Sequence, residues 1–147
     1  MMTPSDTPTI SQVQQLLAQN GYEVSEIGSD VLRVRDLDTG VSFQAALQGN
    51  VLFLSVTLTT VPRKAVTAEI MWKMLAADNG ISTSAFQLYD HDDRVAIALS
   101  NFCTLQNMGP EDHDDILSLS GYLMADLMEA RELLEGSLTE ASTAKVK

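Results

Sequence analysis

The sequence predicts an α+β domain, a two-layer sandwich in which an antiparallel sheet of five to six strands packs against three helices. Residues 41–60 contain two runs rich in Val, Phe, Leu and Thr, separated by Gln48-Gly49-Asn50, which is the pattern of a tight hairpin. Segments with helical spacing lie before, between and after the strand segments, and the strands follow one another as hairpins. We therefore expect the order α-β-β-β(-β)-α-β-β-α.

The first helix is predicted over Ile10–Asn20. Thr9 lies just before this helix and Gln12 within it, at the spacing of a capping box, and the apolar residues of the helix recur on one face. Two short strands are expected next, over Tyr22–Ile27 and Val31–Asp36. In the second of these, apolar residues alternate with arginines, which is typical of a sheet with one solvated face.

The second strand of the central hairpin has the clearest alternation in the chain. One set of side chains is almost wholly apolar and is expected to face the helices, with the alternate set more exposed. Pro62 should end this strand, because proline cannot donate to a strand ladder. The set expected to face the core consists of Leu52, Leu54, Val56, Leu58 and Thr60.

The second half of the chain predicts a helix over Ala65–Asp78, a second hairpin turning at residues 90–93, and a long helix over Glu111–Glu135. Pro110 occupies the first position of that helix, where proline is favoured. Its acidic face is expected to carry Asp126, Glu129 and Glu132. Its apolar seam against the sheet is predicted to be Ile116, Leu119, Leu123, Leu127, Ala130 and Leu134.

The length of 147 residues suits one domain, which we place at residues 9–135, after a flexible lead (1–8) and before a disordered tail (136–147). No run of about 18 apolar residues predicts a membrane span, and the N-terminal residues lack the features of a secretory signal. The single cysteine, Cys103, cannot form an internal disulfide, which fits a cytoplasmic protein.

The formal net charge of −11 is concentrated in the second half of the chain. Residues 90–140 contain 12 acidic and 2 basic residues. Nucleic acids and anionic membranes are bound through Lys and Arg, so neither is expected as a partner. The acidity is explained more simply as a means of keeping the protein soluble than as an acidic docking face.

Several segments together resemble a known layout. They are QNGYEV (19–24) at the end of the first helix, VLRVRD (31–36), VLFLSVTL (51–58), MWKMLAADNGISTSAFQLYD (71–90) and RVAIALSNF (94–102), followed by a long acidic helix. Over about residues 9–135 this arrangement is similar to class I type III secretion chaperones. More closely, it resembles the YbjN-type family of bacterial sensory transduction regulators.

The resemblance implies a secretion-chaperone-like fold and a role in binding rather than in catalysis. Chaperones of that class are dimers that hold an extended, unfolded stretch of a partner along the sheet and helix surface. YbjN-type proteins have no established enzymatic activity. The resemblance therefore implies a homodimer and an extended protein segment as partners.

The residues that could carry chemistry have simpler structural explanations. The run Glu111–Asp115 could suit a divalent ion, but acids at a helix start are favoured by the helix dipole. His91 falls on a predicted hairpin tip, and a weak metal site would need it to meet His113. No basic residue lies near Cys103 to activate its thiol. We expect no enzyme, no catalytic residues, no metal and no cofactor.

Two features remain as candidates for binding. A second stripe on the long helix consists of Leu117, Met124 and Met128, and together with Trp72 it is our expected dimer or partner surface. Core filling is the competing explanation for the methionines. The second candidate is an exposed sheet edge that receives an extended peptide, although the sequence does not indicate which strand forms it.

These observations favour a non-enzymatic protein-binding module, chaperone-like or regulatory. The alternative is a small-molecule-sensing regulatory domain whose ligand lies near Trp72, Tyr89 and Tyr122. A cavity of about 300 Å³ or more would be needed for that alternative.

Overall fold

A computed structural model describes residues 7–138 of the chain. Residues 1–6 of the predicted lead and 139–147 of the predicted tail lie outside the described residues. Within 7–138, the helices are α1 (Ile10–Ala18), α2 (Ala68–Leu75) and α3 (Pro110–Leu134). The strands are β1 (Tyr22–Gly28), β2 (Val31–Asp36), β3 (Ser42–Gln48), β4 (Val51–Pro62), β5 (Ala85–His91) and β6 (Arg94–Thr104).

The six strands of the described residues form one antiparallel sheet in the order β1-β2-β3-β4-β6-β5. This confirms the predicted α+β class, the strand number and the element order. The arrangement also answers a question that the sequence leaves open, since β1 and β5 are the two edge strands of the sheet.

The chain divides into two compact units. Among the described residues, the first unit comprises 7–56 and 101–121, and the second comprises 57–100 and 122–138. The division falls inside β4, β6 and α3, so each unit is built from parts of these three elements.

In the first unit, α1 begins at the predicted capping box. The Thr9 side chain accepts a hydrogen bond from the Gln12 N–H at 3.3 Å, and Gln12 Oε1 accepts from the Thr9 N–H at 2.9 Å. Val13 and Leu17 on α1 are fully buried. The first part of β4 keeps its predicted alternation, and the side chains it buries are Leu52, Leu54 and Val56.

In the second unit, the end of β4 departs from the prediction. Leu58 is half-buried, Thr60 is exposed and Val61 is buried. The residue facing the core has therefore shifted by one position, because Val61 packs in an apolar cluster, and a one-residue shift exchanges the faces of a strand. That cluster consists of Val61, Ala65, Ile70, Met74, Ile97 and Leu134.

The helices of the structure are shorter than or equal to those predicted. α2 begins after Thr67, whose side chain accepts from the Ile70 N–H at 3.2 Å, and ends where Ala76 turns extended with ψ 139°. The first three residues of the predicted helix, from Ala65, fall instead at the end of a short 3₁₀ turn and in the segment that follows it. α3 agrees with the prediction to within one residue at each end. Its predicted seam is buried except for Leu119, which is half-buried.

Candidate functional site

The structure divides the four predicted surface residues between the two units. Leu117 belongs to the first unit and is half-buried. Trp72, Met124 and Met128 belong to the second unit, where Trp72 is 76% exposed, Met128 is 47% exposed and Met124 is half-buried. Leu117, Met124 and Met128 lie on α3, and a shared dimer or partner surface with Trp72 stays a prediction.

One face of α2 is apolar and exposed to solvent. Trp72 and Leu75 are 76% and 80% exposed, and Met71 is 38% exposed. Leu75 is three positions from Trp72 and four from Met71, so it is a neighbour of both on the helix surface. Ile70 and Met74 are buried on the opposite side in the core of the second unit. Met74 therefore fills the core, whereas Met71 does not.

Strand β5 is an edge strand, and no strand of residues 7–138 pairs with its outer side. All its residues except Phe86 are exposed, and Leu88 and Tyr89 are each 44% exposed. It pairs with β6 in an unbroken register from Ala85↔Ser100 to His91↔Arg94. The strand sequence AFQLYDH contains neither lysine nor proline, the residues that most often prevent further pairing at a sheet edge.

A buried carboxylate holds the segment that leads into β5. Asp126 on α3 is only 2% exposed and accepts five hydrogen bonds of 2.9–3.3 Å. Three come from the backbone N–H groups of Ser82, Thr83 and Ser84, and two from the hydroxyls of Ser82 and Thr83. Asp126 was predicted on the exposed acidic face of its helix, and this prediction is wrong because the loop before β5 covers it.

These hydrogen bonds also determine the ionisation of Asp126. Burial by itself raises the pKa of this carboxyl. The hydrogen bonds from Ser84, Ser82 and Thr83 lower the pKa by more than burial raises it, so the net pKa lies below its ordinary value. Asp126 is therefore a carboxylate at neutral pH. A buried charge of this kind is stable only when donors surround it, as they do here.

The far end of β5 is held by a second contact. Arg63 forms an ion pair with Asp90, and its guanidinium also donates to the Asp92 carbonyl at 3.3 Å. The Arg63 backbone N–H donates to the Asp93 carbonyl at 2.9 Å. Because both side chains of the ion pair are mostly exposed, the pair adds little free energy, but the three contacts together orient the turn.

The other edge strand, β1, differs from β5. Its pairing with β2 shifts register between Glu26 and Gly28, which is the mark of a bulge, and it carries Glu23 and Glu26. Bulges and charged side chains both discourage another strand from adding to an edge. Of the two edges, β5 is the one suited to receive a further strand.

The first unit contains a groove of about 550 Å³. One wall is the exposed side of α1, and the rest comes from the start of α3 and the loop before it. Its polar groups are mainly side-chain amides. The lining residues are Gln12, Gln15, Leu16, Gln19, Asn20, Met108, His113 and Leu117.

Buried Asp112 shapes the loop that forms the floor of this groove. It is 3% exposed, and its Oδ2 accepts from the N–H groups of Gln106 and Met108 at 2.7 and 2.8 Å. Met108 has φ 59°, a left-handed conformation that is unusual for a residue other than glycine. The sequence places Asp112 among the exposed acids of the first helical turn, but its side chain folds back onto the loop instead.

Cys103 and the two histidines are separate features. Burial, together with Asp115 and Asp112, raises the pKa of the half-buried Cys103 thiol to about 11, so it is protonated at neutral pH. His91 lies in the second unit and His113 in the first. Across residues 7–138, no three His, Cys, Asp or Glu side chains come together as a metal-binding group.

Two of the residues that shape these sites were missed by sequence reasoning. Asp126 has the same helical spacing as its exposed acidic neighbours, and Asp112 lies within a run of acids that the helix dipole explains. The run Ser82-Thr83-Ser84 is the one local signal for the burial of Asp126, since such residues supply donors for a buried carboxylate.

Among the helices in the described residues, none combines the length and the apolar character that crossing a bilayer requires.

Comparison with known proteins gives a structural neighbour and no sequence relative. No protein-family model matches the chain, and no curated protein sequence matches it. Among solved structures, it is similar to YbjN, described as "a putative transcription regulator from E. coli", with a TM-score of 0.65 and 16% sequence identity. The match covers 85% of this chain and 92% of that one. At this identity the likeness concerns the fold alone, and it shows that the chain has a YbjN-like fold.

Proposed function

We propose that this protein is a non-enzymatic binding module of the cytoplasm that takes up an extended segment of another protein as an additional strand beside β5. The observation that carries the proposal is the open edge of β5, seven residues long and mostly exposed, with Leu88 and Tyr89 each 44% exposed. Main-chain hydrogen bonds along such an edge supply affinity, and alternate side chains supply specificity.

Both ends of β5 are held before any partner arrives, which supports this role. Asp126 holds the segment before the strand, and Arg63 holds the turn after it. A strand that is already extended loses little conformational entropy on binding. The added strand therefore meets a row of N–H and C=O groups that needs no reorganisation.

The side chains of β5 indicate what kind of segment would fit. Phe86 is half-buried and packs against the core cluster of the second unit, and Leu88 lies on the same face of the strand. Gln87 and Tyr89 lie on the other face. A segment with apolar residues at every second position would place them beside Phe86 and Leu88, with polar or aromatic residues beside Tyr89.

The experiment begins with selection of binders from a displayed library of 12-residue peptides. Titration calorimetry then compares the parent protein with Leu88→Lys, which places a charge on the edge, and with the matched change Ser25→Lys on β1. We expect Leu88→Lys to weaken the selected peptides at least tenfold and Ser25→Lys to have little effect. Hydrogen exchange should slow at β5 in the complex.

The result that contradicts the proposal is equal binding by the two variants, or slowed exchange at β1 or at a helix with none at β5. Circular dichroism of both lysine variants distinguishes lost binding from lost folding.

A second copy of the chain is a further partner, and we propose that the apolar face of α2 is the contact. Trp72 at 76% exposure carries this proposal, because tryptophan is enriched among residues that dominate protein interfaces. Met124 and Met128 belong to the same unit and are candidates for the margin of that contact.

Small-molecule sensing remains the second candidate function, at a different place from the one predicted. Trp72, Tyr89 and Tyr122 are exposed at 76%, 44% and 51% and do not line the groove of the first unit. That groove, at about 550 Å³, lies within the size range of small-molecule sites and favours this alternative.

A further inference from the structure

The groove of the first unit presents two complete side-chain amides on one helix face. Gln15 on α1 and Gln19 at its C-cap are exposed and four residues apart, and Gln19 keeps a helical backbone, so they are neighbours. Gln12 Oε1 is already used by Thr9, and Asn20 Nδ2 donates to the Leu16 carbonyl at 2.7 Å. Gln15 and Gln19 thus offer paired donors and acceptors to a ligand, with the remaining atoms of Gln12 and Asn20 beside them.

The opposite side of the groove supplies an aromatic ring and an apolar surface. His113 at the start of α3 is exposed, and an imidazole is one of the side chains on which nucleobases stack. Leu16 and Met108, each 8% exposed, and half-buried Leu117 provide the apolar part of the lining.

Met108 lines the groove from a left-handed backbone conformation. A left-handed backbone is strained in any residue with a side chain, and glycine would adopt φ 59° without cost. Asp112 nevertheless holds Met108 in this conformation through the Met108 N–H. The strain therefore places an adaptable apolar side chain in the lining of the groove.

Charge restricts the kind of ligand. The eight lining residues include no Lys or Arg, and the described residues of the first unit carry more acids than bases, the bases being Arg33 and Arg35. A phosphate would find no cation in the lining and would be repelled by the surrounding carboxylates. The groove is thus suited to an uncharged ligand.

We propose that this groove binds an unphosphorylated nucleobase or nucleoside. The carboxamides of Gln15 and Gln19 pair with the donor–acceptor edge of the base, as Asn and Gln do with adenine. The His113 ring stacks on the face of the base, and Leu16, Met108 and Leu117 contact its apolar surface. Ribose hydroxyls meet the remaining polar atoms of Gln12 and Asn20.

Titration calorimetry of the full chain with adenine, adenosine, guanosine, cytidine and uridine tests this proposal. We expect at least one of them to bind with a dissociation constant below 1 mM, and its 5′-monophosphate to bind at least tenfold more weakly. The double variant Gln15→Ala/Gln19→Ala and the single variant His113→Ala should each weaken binding at least fivefold. All three side chains are exposed, so the fold should survive these changes.

The matched control is Gln87→Ala, which removes an exposed glutamine from the second unit and should leave the affinity unchanged. The proposal is overturned if no base or nucleoside binds at 1 mM, or if the monophosphate binds as well as the nucleoside. It is equally overturned if the groove variants bind like the parent, or if N-acetyl-tetraalanine amide binds more tightly than every nucleoside. Because β5 is unchanged in the groove variants, peptide binding at β5 provides a separate readout.

Discussion

At the scale of single residues, the structure depends on two carboxylates that are buried and used internally. Asp126 holds the segment before β5 through five hydrogen bonds, and Asp112 holds the loop at the groove through two. Each replaces solvent around a charge with N–H or O–H donors from a loop. These two acids therefore determine the conformation of the two loops rather than adding to the exposed charge.

We expect Asp126→Asn to lower the free energy of unfolding by about 3 kcal/mol at pH 7, because the amide turns an N–H₂ group toward some of the loop donors. The folded-state pKa of Asp126 is below its ordinary value, so its contribution is complete above about pH 4 and is lost as the pH falls through the folded-state value. Urea unfolding should therefore show a smaller difference in the free energy of unfolding between the parent and Asp126→Asn at pH 3 than at pH 7.

Glu132→Gln is the control for that measurement, since Glu132 is exposed on the same helix and its neutralisation should change stability by less than about 0.5 kcal/mol. Equal unfolding midpoints for the parent and Asp126→Asn at pH 7 would show that the carboxylate is not needed to hold the loop.

At the scale of elements, two local signals begin helices where the sequence predicts. The capping box at Thr9 starts α1 as predicted, and Pro110 starts α3. α2 is shorter than its apolar spacing suggests because Thr67 caps it late and Ala76 turns extended. β4 exchanges faces near its end because burial of Val61 outweighs continued alternation.

Thr9→Ala should lower the free energy of unfolding by about 1 kcal/mol, because the Gln12 N–H loses the Thr9 hydroxyl as an acceptor and Gln12 Oε1 loses that hydroxyl as a donor. Thermal unfolding followed by circular dichroism measures this. Ser11→Ala, at an exposed position of the same helix, is the control. A loss as large for Ser11→Ala as for Thr9→Ala would exclude the cap as the cause.

At the scale of the whole molecule, two features concern how copies of the chain meet. The net charge of −11 opposes close approach at low ionic strength, whereas the apolar face of α2 favours it. Salt screens the charge repulsion and leaves the apolar attraction nearly unchanged. Association of two copies should therefore strengthen as ionic strength rises.

Light scattering after size exclusion should give a mass near twice the 16.0 kDa of one chain, most completely at 0.5 M salt. The variant Trp72→Ser/Leu75→Ser should shift the mass toward that of one chain without lowering the unfolding temperature, since both side chains are already exposed. Glu69→Ser, at an exposed position on the same helix, is the control. A parent protein with the mass of one chain at every salt concentration would exclude this dimer.

Patterns in the amino-acid sequence predicted the α+β class, the order of the elements, the hairpins and the likeness to YbjN-type proteins in fold. These follow from periodicity, turn residues and caps, which act between residues close along the chain. Helical spacing predicted six positions in the seam of α3, and five of them are buried.

The folded chain was needed to show which strands are edges, that Trp72 is exposed, and that Asp112 and Asp126 are buried. Each of these depends on residues far apart in the chain or on a loop folding back. Asp126 meets Ser82 across 44 positions, and helical spacing cannot distinguish it from Glu129. Long-range packing therefore determines which of the predicted faces are buried, because burial of a whole face outweighs the preference of any one residue.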